Sequence, residues 1–189
     1  MKKIQTLFVR DENDRRHVTE EVSPGCHWVL NGEGVATGKF DGVCVKLSYA
    51  KEWWTRREVK KDGTPPDGFY AVEHDPTTGK TVGWERAEQS SFAKYLAEAV
   101  DNALDDGIYL RTGTTFELCG PKINGNPLKL PDHQLLRHGS VPLELPGRDF
   151  VSLRGYLTSA EFEYEGIVFW RDPQNPNCDK AKLKARDFR

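Results

Sequence analysis

The sequence predicts an α+β fold, two antiparallel β-sheets flanked by a few helices, on three observations. Short apolar runs bounded by turn signals fill most of the chain, only one segment carries a clear helical period, and no repeat or low-complexity linker interrupts it. Residues 1–189 are therefore expected to form a single domain.

The strand-like runs are, in order, "KIQTLFV", "CHWVL", "GVCVKLSY", "WTRREV", "GFYAVE", "GIYLRTGTTFELCG", "FEYEGIVFW" and "AKLKARDF". Between them stand "NGEG", "DGTPPDG", "DPTTGK" and "NGNP", whose Gly, Pro, Asn and Asp favour turns. Period-two alternation places Val43, Val45 and Leu47 on one strand face. The helix is "SSFAKYLAEAVDNALDDG": Phe92, Leu96, Ala99, Val100 and Ala103 recur at helical spacing, Ser90 or Ser91 is the candidate N-cap, and Gly107 the stop. A weaker helical pattern lies in "TSAEFEYEG". Two packed sheets leave a groove between them, a natural ligand site.

Composition narrows the function classes. With 37% apolar and 30% charged residues the chain reads as a soluble globular protein, without an apolar run long enough to span a bilayer. Its start, "MKKIQTLFVRDENDRR", lacks the apolar stretch of a signal peptide, which predicts a cytoplasmic location. Cys26, Cys44, Cys119 and Cys178 form no CxxC pair and read as isolated reduced thiols. His17, His27, His74, His133 and His138 show no metal-ligand spacing and read as structural or surface residues. A net charge of −2 argues against a surface basic throughout, while "TRREVKK" and the tail "RDPQNPNCDKAKLKARDFR" could line one phosphate-binding face. Trp53 and Trp54 are adjacent on a strand-like run, so one is expected to face the core and the other the surface.

Several charged residues stand where charge needs a reason. Lys39 in "GKFDGVC" lies on a glycine-flanked turn, two residues before Asp41. Glu117 sits between Phe116 and Leu118 in a β-like run, so its carboxylate points away from both and must find a partner or a cleft. Glu165 opens an apolar strand, and Lys182 and Lys184 in "KLK" share a strand face, as two cations need in order to reach one phosphate.

In order, Lys39-x-Asp41-Gly42, an arginine, Glu117 in a strand, Glu165-Gly-Ile-Val and Lys182-x-Lys184 resemble the motif series of the covalent nucleotidyltransferases: ATP-dependent RNA and DNA ligases and mRNA capping enzymes. The phrase "ELCGPKINGNP" looks most like RNA ligases. The resemblance implies a nucleotidyltransferase domain with its nucleotide in the groove between the sheets.

On this resemblance Lys39 is the nucleophile that attacks the α-phosphate of ATP, releases pyrophosphate and keeps AMP as a lysyl phosphoramidate. Only a neutral amine attacks, and at an ordinary lysine pKa of roughly 10.4 about one in a thousand is neutral near pH 7.4, so cations or a metal must assist. Gly42 permits the turn, and Asp41 is expected near the ribose or a metal-bound water. Arg56 matches the family arginine that holds ribose or the RNA 5′-phosphate; Arg57 would point the other way. Glu117 matches the glutamate that hydrogen-bonds the ribose, Glu165 the residue that helps place Mg2+ or Mn2+, and Lys182 and Lys184 the pair that neutralises the α-phosphate.

One departure concerns the base. The family stacks an aromatic on adenine from the strand after the Glu117 motif, whereas "PDHQLLRHGS" offers only Leu136 or His138. That bears on the choice of ATP over GTP.

The implied function is an ATP-dependent RNA ligase acting on RNA 5′-phosphate and 3′-hydroxyl ends, as a bare catalytic domain without an OB-fold or other C-terminal accessory domain. A protein partner could then supply additional RNA binding. The alternatives are a DNA ligase, a GTP-using capping enzyme, a nucleotidyltransferase that modifies a protein or small molecule, and, from another class, a nucleotide- or RNA-binding module without catalysis.

Overall fold

Alternating runs become strands throughout the computed structural model, which describes residues 2–173, 175 and 177–188. In chain order the strands are β1 (Gln5–Thr6), β2 (Phe8–Arg10), β3 (Val18–Val22), β4 (Val35–Lys39), β5 (Val43–Leu47), β6 (Trp53–Val59), β7 (Tyr70–Asp75), β8 (Lys80–Arg86), β9 (Thr114–Cys119), β10 (Gln134–Arg137), β11 (Gly166–Trp170) and β12 (Lys180–Lys184). The helices are α1 (His27–Leu30), α2 (Ala93–Asp105) and α3 (Phe150–Leu157). The protein is thus α+β, mostly sheet with few helices. Among the described residues no helix is long and apolar enough to cross a membrane.

The chain forms two compact units, and it passes from one to the other between Phe40 and Asp41, inside the Lys39-x-Asp41-Gly42 motif. The Asp41–His138 unit holds a six-stranded sheet, ordered β10-β9-β5-β6-β8-β7 and antiparallel throughout. Its core takes Val45 and Leu47 from β5, Phe116 and Leu118 from β9, and Leu96 and Ala99 from α2. Burying a side chain of that size stabilises by about 1.5–3 kcal/mol. Alternation then sends Cys44, Lys46, Trp54, Arg56, Glu117 and Leu136 to the opposite face.

The other unit, Ile4–Phe40 with the chain from Gly139 onward, holds a four-stranded sheet ordered β1-β12-β11-β4 and the β2-β3 hairpin. One face of the sheet presents Ala36, Ile167, Phe169, Ala181 and Leu183 to a core completed by Leu7, Phe8, Trp28, Val29, Leu153 and Leu157. The second face therefore carries Lys39, Thr37, Val168, Lys182 and Lys184.

Several expectations need correction. "CHWVL" is not a strand: it holds α1, where the consecutive Trp28 and Val29 are both buried, as one helical turn allows and a strand with one buried face does not. "TSAEFEYEG" is not helical. Its place is taken by α3 just upstream, started by Asp149, whose carboxylate accepts from Ser152 N at 3.0 Å. Neither Ser90 nor Ser91 caps α2. The N-cap is Phe92, and the Ser90 hydroxyl accepts from Phe92 N at 3.2 Å, ahead of the helix. Gly107 does end it: φ is 71°, with Gly107 N bonded to Leu104 O and Ile108 N to Ala103 O, the paired closure of a Schellman motif.

The first half of "GIYLRTGTTFELCG" is not strand, and pairing begins only at Thr114. Not every pair is antiparallel either, because β1 runs parallel to β12 with Gln5 opposite Ala181. Strands at Val18–Val22, Val35–Lys39 and Lys80–Arg86 went unforeseen, and Lys39 is the last residue of β4 rather than part of the turn. Of the basic tail, Gln174, Pro176 and Arg189 lie outside the described residues.

Candidate functional site

The row of residues across one end of the four-stranded sheet builds the first cluster. Gly166 on β11 is opposite Lys39 on β4 and Lys184 on β12, so Glu165, one residue earlier, stands between two lysines. Backbone bonds secure it there: Glu165 N donates to Lys39 O at 2.9 Å, and Ala185 N donates to Glu165 O at 3.1 Å. Gly166 is needed for this approach, since a Cβ would meet Leu183 O at 2.2 Å and Lys184 Cα at 2.7 Å. Asp187 finishes the strand by accepting from Lys184 N at 2.8 Å, and Arg10 holds Asp187 at 2.8 Å.

The side chains converge on one carboxylate. Lys39 Nζ lies 2.5 Å from Glu165 Oε2 and also donates to Phe40 O at 3.2 Å. Lys184 Nζ donates to Glu165 Oε1, which Arg186 approaches at 3.5 Å. The three side chains are only 20% (Lys39), 11% (Glu165) and 15% (Lys184) exposed, which keeps solvent from screening the cluster fully. Burial pushes the Glu165 carboxyl up, but hydrogen bonds from Lys184 and Lys39, with their charges, outweigh it and hold it below the usual carboxylate range. Lys182 stands on the same sheet face opposite Val168.

The second cluster lies in the Asp41–His138 unit. Glu117 Oε1 accepts from Gly42 N at 3.1 Å, and Oε2 is 2.7 Å from His138 Nε2. Gly42 has no room for a side chain, because a Cβ would meet Leu118 O at 2.3 Å and Glu117 Cγ at 2.9 Å. Asp41 accepts from Asn124 Nδ2 at 2.9 Å, and Asn124 also donates to Gly42 O at 3.2 Å. Arg56 shares the sheet face of Glu117, whereas Arg57 points the other way and lies 3.7 Å from Glu85. Arg56 Nε is buried without a hydrogen-bond partner, an unsatisfied donor of the kind folded proteins avoid. Leu136 is opposite Glu117 on β10, and both nitrogens of His138 are engaged, Nδ1 with the Thr115 hydroxyl at 2.9 Å.

The structure thus gathers Lys39, Glu165 and Lys184, keeps Lys182 on their sheet face, and gathers Gly42 with Glu117 separately. Sequence reasoning missed Arg186 and Asn124. Arg186 carries on the every-second-residue run of Lys182 and Lys184, and Asn124 sits in an Asn-Gly turn, so both had a local signal. His133 proves structural: it stacks on Tyr95 at 4.7 Å and bonds Glu98 at 2.8 Å. Among the described residues, Cys26, Cys44, Cys119 and Cys178 form no disulfide.

No family model matches this chain, and no curated protein does.

A resident Mg2+ or Mn2+ must be judged on Glu165. One carboxylate ringed by Lys39, Lys184 and Arg186 is not an all-protein site for a divalent cation. A divalent cation held mainly by substrate phosphates would have to draw one Glu165 oxygen away from its lysine.

Proposed function

We propose that this protein is an ATP-dependent RNA ligase, forming a lysyl-AMP intermediate before it adenylylates an RNA 5′-phosphate and seals it to a 3′-hydroxyl. The observation that carries the reading is the meeting of Lys39 and Lys184 on Glu165, three positions singled out in motif order along the chain. In the first step the Lys39 amine attacks the α-phosphorus of ATP. The bond to the bridging oxygen breaks, pyrophosphate leaves with the electron pair, and Glu165 Oε2 at 2.5 Å is the near acceptor for the amine proton.

Lys184, with Lys182 and Arg186 beside it, presents positive charge to the α-phosphate as charge accumulates in the transition state. A divalent cation bound with the triphosphate would supply further positive charge against those oxygens, with Glu165 as its protein ligand. Asp41, Gly42, Arg56 and Glu117 belong to the other unit. Their roles toward ribose and 5′-phosphate follow from the sequence resemblance, and the unsatisfied Nε of Arg56 accords with a residue that lacks its anionic partner.

The test is the intact mass of the purified chain after incubation with ATP and magnesium, beside a Lys39→Ala variant and a GTP control. The expected result is a gain of one AMP, about 329 Da, with ATP in the wild type only. No gain, from protein free of AMP as purified, overturns the reading, and a gain with GTP alone replaces it with a capping-type transferase.

A further inference from the structure

We infer that Cys44, Glu117 and His138 form a binding site for a zinc-like transition-metal ion, a site that does not depend on the Lys39 chemistry and that, when filled, takes Glu117 away from a ribose. The three positions are scattered along the sequence, but strand pairing unites them. Cys44 is opposite Glu117 across β5 and β9, and Leu136, two residues before His138, is opposite Glu117 on β10. Alternation then aims all three side chains from the same sheet face. One ligand atom from each, Cys44 Sγ, a Glu117 oxygen and a His138 nitrogen, lies within 4.8 Å of the other two. A zinc ion with bonds of about 2.3 Å to sulfur and 2.0–2.1 Å to nitrogen and oxygen holds such atoms roughly 3.3–3.6 Å apart, so closure asks for movements of about 1 Å.

The surroundings suit an ion. Glu117 Oε1 is taken by Gly42 N, which leaves Oε2 as the ligand oxygen. His138 Nδ1 is 2.9 Å from the Thr115 hydroxyl, the outer-shell bond that typically orients a ligating imidazole through its other nitrogen. A hydroxyl can donate or accept. Without metal, Thr115 can donate to Nδ1 while Nε2–H bonds Glu117; with metal, Nδ1–H donates to Thr115 and the Nε2 lone pair binds the ion. The Glu117 and His138 side chains are 11% and 17% exposed, sheltered yet open to entry.

The donor set chooses the metal. A thiolate and an imidazole beside one carboxylate suit zinc and its neighbours in the transition series and do not suit magnesium. Three protein ligands leave a fourth position open for water or a substrate group. Binding releases the Cys44 thiol proton, so affinity rises with pH.

Cobalt(II), titrated into the untagged full chain under reducing conditions, reads the site directly. The expected result is one equivalent bound, with thiolate-to-cobalt charge-transfer absorption and intense visible bands of low coordination number, all displaced by zinc. Cys44→Ser should abolish the charge-transfer band, and His138→Gln, with far-UV circular dichroism to verify folding, should weaken binding at least tenfold. No charge-transfer band in the wild type, or a band and affinity unchanged in both folded variants, overturns the site. Because the readout is spectroscopic and needs no ATP, failure here leaves the Lys39 chemistry untouched, and failure to form lysyl-AMP leaves this site untouched.

Discussion

Lys39 and Glu165 are 126 positions apart in sequence and 2.5 Å apart in the fold. The pairing is imposed by the backbone: Glu165 N donates to Lys39 O, so neither residue can leave without breaking the edge of the β4-β11 ladder. Lys184 reaches the same carboxylate from β12. Lys39 and Lys184 are therefore held level by strand pairing at one end of one sheet, and Glu165, just before β11, is fixed between them by its own backbone bonds.

Replacing Glu165 by Ala strands two half-buried lysines. Exposed pairs contribute about 1 kcal/mol or less, and breaking a fully buried pair costs about 3–5 kcal/mol. With side chains 11–20% exposed, the expected loss is about 2 kcal/mol, measured by urea unfolding at neutral pH. A change below about 0.5 kcal/mol would show that water already screens the cluster.

The same carboxylate predicts a pH dependence. Its folded pKa lies below the ordinary 4.5, since the hydrogen bonds and charges of Lys184 and Lys39 outweigh burial. Folding therefore favours the ionised form. The stabilisation is present in full above 4.5 and is lost as pH falls through the lower folded value. The stability gap between wild type and Glu165→Gln should stay constant from pH 8 to about 6 and shrink steadily on acidification below about 4.5. Equilibrium unfolding across that range reads it, and a gap that widens in acid would reverse the sign assigned to Glu165.

Two glycines in the same unit should respond oppositely to alanine. At Gly166 a Cβ would meet Leu183 backbone oxygen at 2.2 Å, so strands β11 and β12 must part; the expected loss is about 1–3 kcal/mol. At Gly155, exposed within α3, a Cβ meets nothing within 4 Å, and alanine should stabilise by about 0.5–1 kcal/mol through lower unfolded-state entropy and better helix propensity. Thermal unfolding of the two variants decides it, and a Gly166→Ala variant as stable as the wild type would mean the sheet does not need its close approach there.

Local chemistry was legible from the residues. Alternation correctly set Val45 and Leu47 toward a core, with Glu117 on the other face, and put Lys182 and Lys184 on one face, because side-chain direction in a strand repeats every two residues. The Ala93–Asp105 helix and its stop at Gly107 were equally visible, one from its period and the other from a backbone angle that favours glycine. The start of that helix was not: two serines offered caps, and the turn at Ala87–Gln89 moved the first helical residue past both.

What the sequence by itself determined is therefore which way side chains face along each strand, where the chain turns, and which charged residues stand where charge is costly. Only the tertiary structure decided strand order and register: that β11 lies between β4 and β12, so Glu165 bridges Lys39 and Lys184, and that β9 lies between β5 and β10, so Cys44, Glu117 and His138 meet. The reason is that alternation is carried by neighbours along the chain, whereas pairing is chosen by burying whole apolar faces together. "CHWVL" shows the limit, since a run that reads as strand becomes a helical turn once Trp28 and Val29 must both enter the same core.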